Sequence, residues 1–146
     1  MKEYKFYGWQ WADVLPKNEK YQAVGTPRDL YDLMDGIWCR YSCAPRYRDE
    51  WSETNKTLGQ CSITAFLVQD IYGGKVYGVR LPDGAYHCYN DVGGCVFDLT
   101  SEQFGDKVLS YEGNPEQLRE VQLAPEEKRL RYEYLVASLN KALGIE

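Results

Sequence analysis

Long apolar runs are missing from this chain, since no stretch approaches the roughly 20 consecutive apolar residues that a membrane-spanning helix needs. The segment from Met1 to Tyr4 is charged and lacks the apolar core and cleavage site of a secretory signal. Both absences predict a cytoplasmic protein with no membrane partner.

Concentrated positive charge is missing as well. The 17 Lys and Arg residues are outnumbered by 22 Asp and Glu, which gives a net charge of −5. The densest basic segment, residues 40–48, is followed at once by Asp49 and Glu50. Because no basic patch with interleaved aromatic residues is present, we expect no nucleic-acid partner.

Paired cysteines are also lacking, because the chain has five of them and only one histidine. An odd count in a cytoplasmic chain predicts free thiols rather than a disulfide framework. A zinc site built from Cys39, Cys43, Cys88 and Cys95 is an alternative, with Cys39 and Cys43 as one ligand pair. However, Cys88 and Cys95 fall on neighbouring predicted strands rather than on a tight knuckle. We therefore predict neither a metal nor another cofactor.

Apolar and aromatic residues are abundant, at 44% and 14% of the 146 residues. This composition predicts an ordered single domain over residues 1–146 with a sizeable core. Capping and periodicity predict three main helices: one that opens at Thr26-Pro27, one over Ser62–Tyr72 and one over Pro125–Leu143. Alternation and turn signals predict three strands: Lys75–Leu81, Ala85–Asn90 and Cys95–Thr100. The predicted class is α+β.

Cys61 is the first candidate for chemistry. A long irregular connection, residues 39–58, leads into Gly59 and Gln60, and an apolar, buried helix follows. A thiol at the start of a helix has its thiolate favoured by the positive end of the helix dipole. Cys61 is therefore predicted to be a nucleophile, although a small residue at this position also suits a purely structural role.

His87 and Asp98 are the predicted partners of Cys61. If Asp91–Gly94 forms a four-residue hairpin loop, His87 lies directly opposite Asp98 on one face of the sheet. The carboxylate would then orient the imidazole, whose other nitrogen would face the thiol. In the competing structural interpretation, His87 is a hydrogen-bonded core residue. Asp98 would then cap a short helix that Thr100 and Gln103 open as a capping box.

Four further residues are candidates for binding the substrate or its oxyanion: Gln60, Asn55, Arg80 and Trp51. The backbone N–H of Cys61 is the natural first oxyanion donor, and the side-chain amide of Gln60 or Asn55 is the candidate for the second. A two-residue turn at Asp83-Gly84 would place Arg80 opposite His87, where it could bind a carboxylate. Trp51 is expected to help wall a cleft, or else to be a core residue.

The segment from Gly59 to Ala65, followed by His87 and then by Phe97 to Thr100 with Gln103-Phe104, resembles the bacterial YunG-like family. That family brings no established activity with it. The chain order of Cys61, His87 and Asp98 is also similar to the papain-like superfamily, including its NlpC/P60 and transglutaminase branches. The resemblance covers about residues 51–104. It implies a papain-like core in which a central helix bearing the cysteine packs on an antiparallel sheet.

This resemblance implies a cysteine-dependent hydrolase or acyltransferase with a Cys61-His87-Asp98 triad. Its partner would be a small-molecule or peptide-like acyl substrate. Papain-like enzymes place an oxyanion glutamine several residues before the cysteine, whereas Gln60 is adjacent here and Asn55 has roughly the expected offset. The alternatives are a non-catalytic binding module with the same fold and a structural protein without a ligand. No motif encodes the substrate or the oligomeric state.

Overall fold

A computed structural model describes residues 2–145 and has an α+β architecture, as predicted. Within these residues one antiparallel sheet has the strand order β1 (Lys75–Arg80), β2 (Tyr86–Val92) and β3 (Cys95–Phe97). The α-helices are α1 (Pro27–Asp35), α2 (Cys61–Tyr72), α3 (Arg119–Gln122) and α4 (Glu126–Leu143). Short 3-10 helices cover Trp9–Trp11, Glu19–Val24, Pro45–Tyr47 and Ser101–Phe104.

The ends of the long helices follow local capping rules. Thr26 and Asp29 form a capping box at the start of α1, with Pro27 in the first turn. Gly73 ends α2 and Gly144 ends α4, both with positive φ. These boundaries confirm the predicted helices, except that α2 begins at Cys61 rather than at Ser62. No helix within residues 2–145 has both the length and the apolar character needed to cross a bilayer.

Helix α2 lies at the centre of the core because it is apolar nearly all round. Its buried side chains include Ile63, Phe66, Leu67 and Ile71. The helix packs on β2 on one side and on α4 on the other. The Asn90 side chain of β2 donates a hydrogen bond of 2.9 Å to a backbone carbonyl of α2. The start of α2 is therefore held against the sheet.

The turn between β1 and β2 differs from the prediction. The Leu81 N–H donates to the Ala85 carbonyl at 2.8 Å and closes a three-residue loop. Gly84 in this loop has a φ of 90°, which favours glycine. The resulting register pairs Val79 with His87. Arg80 therefore alternates to the face opposite His87, and the predicted pairing of these two residues is wrong.

The turn between β2 and β3 also differs, but with another consequence. Gly93 and Gly94 have positive φ and form a two-residue turn, so that Asn90 pairs with Phe97. His87 is therefore not directly opposite Asp98, as the four-residue loop predicted. The register has shifted by two residues, and an even shift keeps the two side chains on the same face of the sheet.

The N-terminal segment fixes the chain just beyond β3. The Asp98 N–H donates to the Tyr7 carbonyl at 3.0 Å, and the Tyr7 N–H donates to the Ser101 hydroxyl at 2.8 Å. Gly8 lies so close to β3 that a Cβ atom there would approach the Val96 carbonyl oxygen to 2.5 Å. Residues without a clear sequence pattern thus determine where Asp98 lies.

Candidate active site

Cys61 and His87 both line a cleft of about 750 Å³. Its walls come from the loop around Tyr47, the start of α2, the hairpin turn between β1 and β2, and the first turns of α4. Phe104 also lines it. Volumes of this order are typical of small-molecule sites.

Cys61 is half-buried and lines the cleft. The Sγ atom lies 3.9 Å from the Tyr86 carbonyl oxygen, next to strand β2. The N–H groups of the first helical turn have no partner within the helix, and the first helical hydrogen bond here runs from the Thr64 N–H to the Gln60 carbonyl. The N–H groups of Cys61 and Ser62 thus lie at the positive end of α2, beside the thiol.

Gly59 brings the preceding loop against the start of α2. Its φ is 71°, and a Cβ atom there would lie 2.6 Å from the Cys43 sulfur and 2.8 Å from the Ala44 nitrogen. The Ala44 N–H donates to the Gly59 carbonyl at 2.9 Å. A residue with a side chain would force the loop away, so glycine fixes this wall of the cleft.

His87 and Asp98 form a buried pair. The Nε2 atom of His87 lies 2.6 Å from Oδ2 of Asp98, and each side chain is only 1% exposed. Asp98 also accepts hydrogen bonds from the Tyr111 hydroxyl at 2.7 Å and from the N–H and hydroxyl of Thr100 at 3.2 and 3.3 Å. The edge of the Phe104 ring packs on the imidazole. Because Nε2 is held by Asp98, Nδ1 is the nitrogen left for the thiol.

The electrostatics favour a charged pair. Burial alone would lower the pKa of His87, but the charge and hydrogen bond of Asp98, followed by those of Cys61, raise it to about 10. A hydrogen bond with the Cys88 thiol, and then the hydrogen bond and charge of His87, hold the pKa of Cys61 well below its usual value despite burial. The hydrogen bond with Cys61 and burial raise the pKa of Cys88. Both shifts favour the charged form of the pair, a thiolate with an imidazolium.

The remaining thiols differ from Cys61 in environment. Burial raises the pKa of Cys43 to about 11 and raises that of Cys95. Cys39 is half-buried, yet hydrogen bonds with Ser42 and Tyr134 lower its pKa. Cys39 is therefore a second thiol whose ionised form is favoured. No group of three or more His, Cys, Asp or Glu residues suited to a metal occurs within residues 2–145.

The four predicted binding residues do not line the cleft. Gln60 is fully buried, and its amide donates to the Cys39 carbonyl at 3.1 Å. Asn55 lies in a separate surface depression beside Asp35 and Thr57. Trp51 is buried and donates to the Lys56 carbonyl. Arg80 lies over the Tyr86 ring instead, because the register of β1 turns it away from His87.

The structure adds a site residue, Tyr111, that no sequence pattern pointed to. Tyr111 lies in the irregular segment after the last strand, its ring stacks on Tyr7 at 3.9 Å, and its hydroxyl bonds Asp98. The predicted capping box at Thr100 is wrong, because its hydroxyl donates to Asp98 and the Gln103 amide donates to the Thr100 carbonyl. The hydroxyls of Tyr111 and Thr100 thus both hold the carboxylate that pairs with His87.

Replacing Tyr111 with phenylalanine should lower the free energy of unfolding by about 1–2 kcal/mol, since it removes a charge-assisted hydrogen bond to a buried carboxylate. Urea unfolding followed by circular dichroism measures the change. Tyr77→Phe is a matched control, because among residues 2–145 the hydroxyl of this strand tyrosine bonds no carboxylate. Equal losses in the two variants would contradict a special role for the Tyr111 hydroxyl.

Comparison with known proteins places the chain in a family. Residues 26–144, which include Cys61, His87 and Asp98, match the family described as YunG protein. Over 100 residues the chain is 34% identical to a Bacillus subtilis (strain 168) protein named "Uncharacterized protein YunG". The aligned region covers 68% of this chain and 81% of that protein. No solved structure matches the chain. The chain therefore belongs to the YunG family.

Proposed function

We propose that this protein is a cysteine-dependent hydrolase or acyltransferase with a papain-like core, in which Cys61 is the nucleophile. One observation carries the proposal. A half-buried cysteine at a helix start lines a cleft together with His87, whose Nε2 lies 2.6 Å from the buried carboxylate of Asp98. Nucleophile, base and orienting group in this relation are the arrangement that acyl transfer requires.

The chemistry would proceed in two steps. The Cys61 thiolate attacks the carbonyl carbon of the substrate, a C–S bond forms, and the carbonyl electron pair moves to oxygen. The His87 imidazolium then protonates the leaving group as its bond to the acyl carbon breaks. Water, deprotonated by His87, then attacks the thioester carbonyl. The C–S bond breaks, the acid product leaves, and the Cys61 thiolate and the His87 imidazolium are restored. Any other nucleophile in place of water gives acyl transfer.

The oxyanion of the intermediate would be held at the start of α2. The backbone N–H of Cys61 remains the first donor, as the sequence predicted. Ser62 lines the cleft and is the candidate for the second donor, through its N–H or its hydroxyl. It replaces Gln60 and Asn55, because the amide of Gln60 is bound to Cys39 and Asn55 lies elsewhere.

The papain-like core is supported by how the two elements meet. Helix α2 begins at Cys61 and packs on β2, the central strand, which carries His87. A non-catalytic binding module that uses the same cleft is the second candidate. It is favoured by the burial of His87, which is only 1% exposed and hydrogen-bonded as a structural histidine would be.

The pH profile of alkylation separates these two functions. Between pH 6 and 8 the thiolate fraction of an ordinary thiol rises about 75-fold, whereas a thiol with a strongly lowered pKa is already ionised. We expect the rate of Cys61 with iodoacetamide to change by less than about threefold over this range. Peptide mapping by mass spectrometry resolves the cysteines, and Cys39→Ser removes the second reactive thiol. A rate at Cys61 that climbs like that of Cys95 would favour the binding module.

A further inference from the structure

The charge of the cleft is opposite to that of the molecule. The whole chain carries a net charge of −5. The charged side chains that line the cleft are Arg46, Lys128 and Arg131 with a single acid, Glu127. Basic side chains thus outnumber acidic ones in the cleft that Cys61 lines, although the chain as a whole is acidic.

One of these cations is already neutralised. The Arg131 guanidinium is buried, forms an ion pair with Glu127 one helical turn earlier, and donates to the Ser42 carbonyl at 2.9 Å. Arg131 therefore anchors the loop that forms one wall of the cleft. The positive charge left for a ligand comes from Lys128 and Arg46.

Lys128 is the less exposed of these two cations. Its side chain is half-buried, and its Nζ donates to the Gln122 side-chain oxygen at 3.1 Å. Among residues 2–145 no carboxylate lies within ion-pair distance of it. Lys128 and Cys61 line the same cleft, so that the ammonium group shares this cavity with the nucleophile.

Arg46 is the more exposed cation. Its guanidinium lies over the Tyr47 ring at 4.8 Å from the centroid. The Tyr47 hydroxyl in turn donates to Asp83 of the hairpin turn, so that a carboxylate lies against the same tyrosine. Lys128, which is half-buried and forms no ion pair among residues 2–145, is therefore the better candidate to bind an anion in the cleft.

We propose that the cleft selects acyl substrates that carry a carboxylate or similar anion beside an apolar group, with Lys128 binding the anion. Tyr47, Tyr86 and Phe104 supply the apolar wall. An ammonium group on a lysine stem binds anions as a point charge and leaves their geometry free. The proposal deepens the function proposed above by giving its substrate class.

A pair of alkylating reagents tests this proposal independently of turnover. Iodoacetate and iodoacetamide have the same leaving group but differ in charge, and their rate ratio at Cys61 cancels the thiolate fraction. We expect the rate with iodoacetate divided by the rate with iodoacetamide to be higher at Cys61 than at the free thiol of 2-mercaptoethanol. The Lys128→Gln substitution should lower this ratio about three- to tenfold. Lys141→Gln, at the other end of α4, is the control and should leave it unchanged.

The outcomes separate the two proposals. One outcome is a flat pH profile with iodoacetamide together with a reagent ratio that equals that of the free thiol and does not change in Lys128→Gln. This outcome would overturn the anionic substrate class but would still support Cys61 as the nucleophile. If Cys61 behaves as an ordinary thiol, the ratio is still measurable at pH 8.5. A Lys128-dependent excess there would support anion binding without catalysis. Adding 0.5 M NaCl should reduce the ratio in the wild type more than in the variant, since salt screens the charge.

Discussion

Replacing Asp98 with alanine is expected to lower the free energy of unfolding by about 3–5 kcal/mol, because removal of one partner leaves a buried charge without compensation. His87 is 1% exposed and would lose the carboxylate at 2.6 Å. The Tyr111 hydroxyl and the Thr100 N–H would lose their acceptor as well. Urea or thermal unfolding at pH 7.5 gives the change.

Two further variants make this expectation specific. Asp106→Ala removes an exposed carboxylate and should change the stability by less than about 0.5 kcal/mol. The double variant His87→Ala/Asp98→Ala removes both charges, so that its loss should be smaller than the sum of the two single losses. A loss in Asp98→Ala no larger than that in Asp106→Ala would mean that the pair is not a buried ion pair.

The pH of that measurement follows from the two shifted groups. The raised pKa of His87 stabilises the fold, and this contribution is fully present at a pH below ~6.5, the pKa of the unfolded state. It is lost as the pH rises through about 10. The lowered pKa of Cys61 does the reverse, since it stabilises above ~8.5 and is lost as the pH falls through its folded value. The His87 contribution therefore falls as the pH rises and the Cys61 contribution falls as the pH drops, so that the two oppose each other across the neutral range.

The helices could be predicted because their signals are local. Thr26-Pro27, Gly73 and Gly144 act within one turn of the helix ends that they define. The apolar surface of α2 likewise marks it as buried whatever it packs against. Cys61 at its start was therefore placed correctly by sequence alone.

The strand registers depended on turn lengths, which Gly84 and the pair Gly93-Gly94 leave ambiguous. At Gly93-Gly94 the error was two residues, which moved His87 along the ladder but kept it on the face of Asp98. At the preceding turn the error was one residue, which took Arg80 to the other face. Because side chains alternate along a strand, the first error left His87 on the predicted face, whereas the second placed Arg80 on the wrong one.

The remaining site residues come from contacts between distant parts of the chain. Tyr111 reaches Asp98 from an irregular segment, and Lys128 reaches the cleft from the first turns of α4. Neither position has a periodic or a turn signal that points to the cysteine. Their roles depend on how α4 and the loops pack on the sheet, which propensity does not encode.

Replacing His87 with alanine should convert Cys61 into a more ordinary thiol. The imidazolium supplies both a charge and a hydrogen bond to the thiolate. Without it the rate with iodoacetamide at pH 6 should fall at least about tenfold, since the loss of thiolate outweighs the gain in intrinsic nucleophilicity. The flat profile should become one that climbs steeply between pH 6 and 8.

Unfolding must be separated from this loss of activation, and Cys43 provides the means. It is fully buried, and its pKa is raised to about 11, so that it stays unlabelled while the fold is intact. Loosening of the fold in His87→Ala would expose Cys43 and increase its labelling, whereas loss of activation alone slows only Cys61. His87→Gln, which keeps a polar side chain of similar reach, should slow Cys61 in the same way because it carries no charge. If both variants kept the flat profile with Cys43 protected, His87 would be a structural residue, and the helix start and Cys88 would account for the reactivity of Cys61.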